Sequence, residues 1–128
     1  MSNSDNVNKL GKAAESAAAA YLTRQGLALK TQNYHCRWGE IDLIMDDDQT
    51  LVFVEVRYRK NNSFGHALET IDQKKQKKII KAALHYTQKN HLFDNTDMRF
   101  DVVSLTSTDK QLGDNNVTID WVKNAFYA

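Results

Sequence analysis

Glu40 and Asp42 stand just ahead of an Asp-Asp-Asp-Gln turn, and Glu55, Arg57 and Arg59 stand just after it, within WGEIDLIMDDDQTLVFVEVRYRK, residues 38 to 60. Runs rich in Ile, Leu, Val and Phe flank the turn, which predicts an antiparallel β-hairpin. Closing it at Met45 and Thr50 over a loop of about four residues sets Glu40 across from Glu55. Alternation with period two then assigns Ile41, Leu43, Met45, Val52, Val54 and Val56 to a core face. The other face carries Trp38, Glu40, Asp42 and Ile44 beside Leu51, Phe53, Glu55, Arg57 and Arg59, so carboxylates and guanidinium groups converge among apolar neighbours.

Like charges placed opposite one another destabilise a sheet, so such a cluster needs a counter-charge. Two arrangements supply one. Arg57 and Arg59 can pair with Glu55 and Glu40 on a solvated face. Alternatively a hard divalent cation sits between Asp42 and Glu55, because Mg²⁺ takes one or two carboxylates and fills its octahedron with water and phosphate oxygens.

Aspartate on one strand and Glu-x-basic on the next resembles the signature of the restriction-endonuclease-like PD-(D/E)XK nuclease superfamily. Four motifs in order resemble more closely the YraN family of uncharacterised, proposed endonucleases: Gly39-Glu40-Ile41-Asp42-Leu43-Ile44, Phe53-Val54-Glu55-Val56-Arg57, Phe64-Gly65 and Arg99-Phe100-Asp101-Val102-Val103. The resemblance covers the chain from about Gly11 to Phe126. It implies an α/β fold with a restriction-endonuclease-like αβββαβ core, a mixed central sheet flanked by helices. It also implies a Mg²⁺ (or Mn²⁺) ion on Asp42, Glu55 and the Val56 carbonyl, with Glu15 and Glu40 orienting waters or a second ion. The substrate so implied is nucleic acid, DNA above RNA, and the activity is phosphodiester hydrolysis; resolvase-like members of the superfamily act as homodimers. Where that pattern has lysine, this chain has Arg57, which clamps phosphate but cannot serve as a base. Two other readings stand beside the nuclease: an inactive nucleic-acid-binding module of the same fold, and a protein-interaction domain whose acidic face docks a basic partner.

The elements that must hold these residues follow from periodicity. From Lys9 to Gln25, Leu10, Ala13, Ala14, Ala17, Tyr21 and Leu22 recur at helical spacing after a polar, frayed segment 1–8, with Asn6 or Asn8 as N-cap and Gly26 as C-cap glycine. Glu15 lies at the edge of that apolar stripe. Leu27 to Tyr34 alternates as a first strand, and His35 and Cys36 lack the further ligands of a zinc site. A polar connection, KNNSFGH, follows the hairpin, with His66 as a surface residue. Leu68 to about Asn90 reads as a second helix, begun at a Thr70–Gln73 capping box or slightly earlier. Its early turns carry Lys74, Lys75, Lys77, Lys78 and Lys81, cations that oppose the helix macrodipole. Joined by Arg57, Arg59 and Lys60, they either solubilise a face or form a basic rim for a phosphodiester backbone. No interleaving of aromatic and basic residues suggests a single-strand stacking surface. Met98 to Leu105 and Val117 to Val122 are the last strands, separated by the polar STDKQLGDNN, with Phe126 folded onto the core.

Composition sets outer bounds. A chain of 128 residues makes one domain without staples, and a net charge of +1 leaves any polyanion site to local clustering. The lone Cys36 forms no internal disulfide. No stretch reaches the roughly 18 apolar residues that span a bilayer, and the start lacks a signal-peptide pattern; a cytoplasmic protein is the expectation.

Overall fold

A computed structural model describes residues 3–60, 71–92, 96–107 and 117–128. The order is α1 (Asn3–Arg24), β1 (Ala28–Cys36), β2 (Gly39–Asp47), β3 (Thr50–Lys60), α2 (Gln73–Lys89), β4 (Asp97–Ser107) and β5 (Val117–Phe126). The strands form one five-stranded sheet in sequence order. Neighbours are antiparallel except β3 and β4, which run parallel because the chain crosses between them through α2. This mixed α/β architecture is the one expected, and it matches an αβββαβ core.

Strand alternation feeds two cores rather than one. Leu43, Met45, Val52, Val54, Val103 and Leu105 pack under α1, where Ala14, Ala18 and Ala19 allow close approach and Leu22 and Leu27 fill the end. Ile44, Leu51, Phe53, Phe100 and Val102 pack under α2 against Ile79, Ala82, Ala83 and Tyr86. Phe53 stacks on Phe100 and Phe100 on Phe126, with centroids 5.5 and 5.1 Å apart, so Phe126 closes the core at the end of β5. Burying each such side chain contributes roughly 1.5–3 kcal/mol. The expectation of a single core face is therefore corrected: the hairpin is covered on both sides.

Several boundaries shift for local reasons. Helix α1 already runs from Asn3, so Asn6 and Asn8 lie within it rather than capping it; no Pro or Gly interrupts the chain before Gly11. Gly26, at φ +104°, ends that helix, and the Leu27 N–H reaches back to the Leu22 carbonyl. Helix α2 starts at Gln73 rather than Leu68, because Asp72 takes the N-cap position in extended conformation and accepts from the Lys75 N–H at 2.8 Å. Leu68 and Thr70 lie outside the described residues, as do Phe64, Gly65, His66 and most of the STDKQLGDNN segment.

Candidate functional site

The hairpin closes at Asp47 opposite Thr50, with only Asp48 and Gln49 between them. Asp48 accepts φ +59°, a left-handed conformation that aspartate tolerates better than most residues, and this permits the tighter turn. The register therefore moves two positions from the expected one, and Glu40 does not face Glu55. Pairing of β2 with β3 ends at Leu43 opposite Val54, so the next residues out are Asp42 and Glu55. There the strands diverge.

Asp42 fills the gap. Its Oδ2 accepts the Val56 N–H at 2.8 Å, taking the place of a ladder carbonyl. On its other side β1 is irregular too: Gln32 pairs with Leu43 and Tyr34 with Ile41, whereas Asn33, between them, has φ +52°. That twist explains why Ile41 packs beneath α2 instead of beside Leu43, a correction to simple alternation. It also aims the Asp42 carboxylate between strands, where both helices reach it.

From α1 comes Glu15, within hydrogen-bonding reach of Asn33 and Asp42. Its Oε1 is buried and accepts no hydrogen bond among the described residues. From α2 comes Lys75, whose ammonium lies 2.5 Å from Glu55 Oε2. Glu55 itself is 7% exposed and close enough to Asp42 to share a proton with it. Burial, then the Asp42 charge, pushes the Glu55 carboxyl up to about 7 although Lys75 pulls the other way. Burial likewise raises Asp42, and burial followed by Asp42 raises Glu15. For Lys75, burial lowers the pKa but the contacts with Glu55 and Asp42 outweigh it, and the ammonium ends above its ordinary value. Arg57 is near enough for its charge to act on Lys75.

The structure thus brings together Glu15, Asp42, Glu55 and Lys75, with Arg57 adjacent. Glu40 stands apart, 63% exposed, with His35 Nδ1 3.1 Å from its Oε2, though its charge still reaches Asp42 and Glu15. It lines an open hollow of about 500 Å³ with Gly39, Asp72, Lys74, Lys75 and Lys78. Arg59 is half-buried further along β3, Lys60 ends that strand, and Val56 lies between Glu55 and Arg57. Lys75, one of five lysines expected on a basic rim, turns out to be the direct partner of Glu55. No sequence signal separates it from its neighbours, since the crossover packing alone selects it.

Whether these residues suit a divalent cation can be tested on the donors. Among the described residues no three His, Cys, Asp or Glu side chains converge tightly enough to cage a metal alone. Mg²⁺ needs no such cage, since two carboxylates with water and phosphate oxygens suffice. The crowded carboxylates with raised pKa values, and the unsatisfied Glu15 oxygen, fit a site short of positive charge. The Lys75 ammonium supplies part of that charge.

Residues 14–105 match the model of a family described as uncharacterised protein family UPF0102. The chain belongs to UPF0102. A UPF0102 protein of Legionella pneumophila (strain Philadelphia 1) is 50% identical over 118 residues, covering 92% of this chain and 94% of its own length. One from Alcanivorax borkumensis is 45% identical over 118 residues, covering 92% and 91%. One from Coxiella burnetii (strain RSA 331) is 47% identical over 117 residues, covering 91% of each chain. The UPF0102 match takes in α1 from Ala14, the whole hairpin, α2 and β4 through Leu105, so every residue of the carboxylate site lies inside it. No helix among the described residues is long and apolar enough to cross a membrane.

Proposed function

We propose that this UPF0102 chain is a metal-dependent nuclease that hydrolyses phosphodiester bonds of nucleic acid, DNA in the first instance. One observation carries the reading: Asp42 and the buried Glu55, from strands that part at that point, come together beside the Lys75 ammonium. Carboxylates held above their ordinary pKa by burial, and in Glu55 by the Asp42 charge as well, store an attraction for cations.

Asp42 and Glu55 are the residues that would hold Mg²⁺ or Mn²⁺, with the Val56 carbonyl as a further oxygen. When bound, such an ion lowers the pKa of its water and offsets charge on the reacting phosphate. The Val56 N–H fixes the Asp42 carboxylate so that it need not reorganise. Glu15 lies where it can accept a proton from a water on the α1 side of the pocket. Lys75, with its pKa raised, stays protonated at neutral pH; it serves as a movable positive charge that can pass from Glu55 to a phosphate oxygen, not as a base. Arg57 is also confined to charge stabilisation. Removing one such donor costs roughly 3–4 kcal/mol of transition-state stabilisation in enzymes where this has been measured. Glu40, exposed and beside His35, belongs to the rim rather than the centre. Arg59, Lys60, Lys74 and Lys78 would meet the phosphate backbone.

The test is incubation with single-stranded, duplex and branched DNA and RNA in Mn²⁺, comparing the natural chain with Asp42→Asn and Glu55→Gln. Cleavage should be lost in both variants. Cleavage undiminished in both, or absent from the natural chain on all substrates, ends the reading. The Lys75 contact on Glu55 also favours a second one, an inactive module of the same fold in which the ammonium permanently replaces the ion. That module would still bind nucleic acid in a salt-dependent manner and cut nothing.

A further inference from the structure

The β1–β2 turn places an aromatic ring where the sequence suggested none would matter. Trp38 is 42% exposed. The Arg37 guanidinium lies 4.6 Å and the Lys81 ammonium 5.6 Å from its ring centroid. The turn is seated on α2 through Gly39, whose absent Cβ would lie 3.4 Å from both the Cβ and the carbonyl oxygen of Lys78. Gly39 has φ +154°, so glycine is favoured there on two counts.

Three residues of α2 spaced three apart therefore form one line. Lys75 touches Glu55, Lys78 abuts Gly39 and Lys81 stands by Trp38. Trp38 is thus placed beside the same helix face as the Lys75 that touches Glu55, with Gly39 and Lys75 lining one hollow between them. The hollow between is lined by Lys74, Lys75 and Lys78. Glu40 and Asp72 line it as well, the first beside His35 and the second capping the α2 backbone, so the floor is of mixed charge.

Resting on the nuclease reading of the adjacent site, we propose that Trp38 is a stacking platform for an unpaired base, and that the substrate carries single-stranded character close to the bond that is cut. A paired base hides both faces in the duplex stack, whereas an unpaired base offers a face that an exposed indole can cover. Arg37 and Lys81, which lie over the ring, would yield that place to the base and meet the phosphates on either side of that nucleotide.

The experiment measures affinity by fluorescence anisotropy, in EDTA so that nothing is cut. The probes are a blunt DNA duplex and the same duplex with a single-stranded extension. The natural chain should prefer the extended form; Trp38→Ala should reduce that preference by roughly 10- to 100-fold, the usual worth of base–aromatic stacking, and Trp38→Phe should restore most of it. An unchanged preference in Trp38→Ala, equal binding of both probes by the natural chain, or a Phe variant no better than Ala overturns the proposal and leaves the patch to a protein partner. The Mn²⁺ cleavage assay reports separately: cleavage absent while the Trp38-dependent preference persists sinks the nuclease reading and keeps the platform. Cleavage present with no such preference does the reverse.

Discussion

Two buried groups of acidic residues lie in the same sheet, and they are treated in opposite ways. Asp101 on β4 has no exposure at all and takes hydrogen bonds from the Arg99 Nε and guanidinium, the Trp121 indole N–H at 2.9 Å and the Asn124 backbone N–H at 3.0 Å. Arg99 extends the network to Asp47 at 3.0 Å. Both Asp101 oxygens have more than one donor, and the ion pair ties β4 to β2 and β5. Around Asp42, among the described residues, the Val56 N–H reaches Asp42 and the Lys75 ammonium reaches the buried Glu55, with Arg57 adjacent, while Glu15 brings an oxygen that accepts no hydrogen bond. A fully paired buried charge anchors a fold, while an underpaired one leaves room for a ligand.

The contrast can be broken by mutation. Asp101→Asn should be the most damaging change, because it removes the buried charge that Arg99, Trp121 and Asn124 converge on and leaves the mostly covered Arg99 guanidinium with Asp47 alone, at a cost of about 3–5 kcal/mol in urea denaturation. A loss below about 1 kcal/mol would remove the anchor from the comparison.

Glu55→Gln should act in the opposite direction. The folded chain holds a proton on Glu55 up to about pH 7, whereas the ordinary carboxyl releases it near 4.5. The stability linked to that proton is complete below pH 4.5 and is lost as pH rises to 7. Glutamine removes the slope, and at pH 8 the variant should exceed its parent by on the order of 2–3 kcal/mol, reduced by the loss of the Lys75 contact. Parallel stability–pH profiles for the two proteins would show that the pocket is not underpaired. Adding Mn²⁺ at pH 8 should raise the melting temperature of the parent and leave Glu55→Gln nearly unmoved.

Glu15→Gln should give the smallest effect of the three, a gain under about 1 kcal/mol at neutral pH, since the residue is only partly buried. It should shift the Glu55 titration little in an NMR pH series, because Asp42 rather than Glu15 is the charge acting on Glu55.

Much of this was legible before the structure. The alanine stripe of α1, the hairpin, the helical crossover and the Asp42–Glu55–Arg57 pattern follow from spacing and alternation. The Arg99-Phe100-Asp101 stretch was visible as a motif, but its role was not; Asp101 needs Trp121 and Asn124, some twenty residues away, to become an anchor. Register was misjudged because a two-residue turn without glycine gives no local sign, and Asp48 accepts the left-handed conformation silently. The choice of Lys75 among five lysines, and the seating of Trp38 against Lys81, depend on how a crossover helix settles on the sheet. No local pattern encodes that.

The link from Val56 to Asp42 has a mechanical consequence. In an ordinary ladder the central strands are joined through carbonyls that never change state; here one tie across the middle of the sheet ends on a group that can gain a proton or surrender its oxygen to an incoming cation. If the pocket takes an ion as proposed, the spacing of β2 and β3 at their mouth would respond to it, and the response would reach the backbone through that one tie.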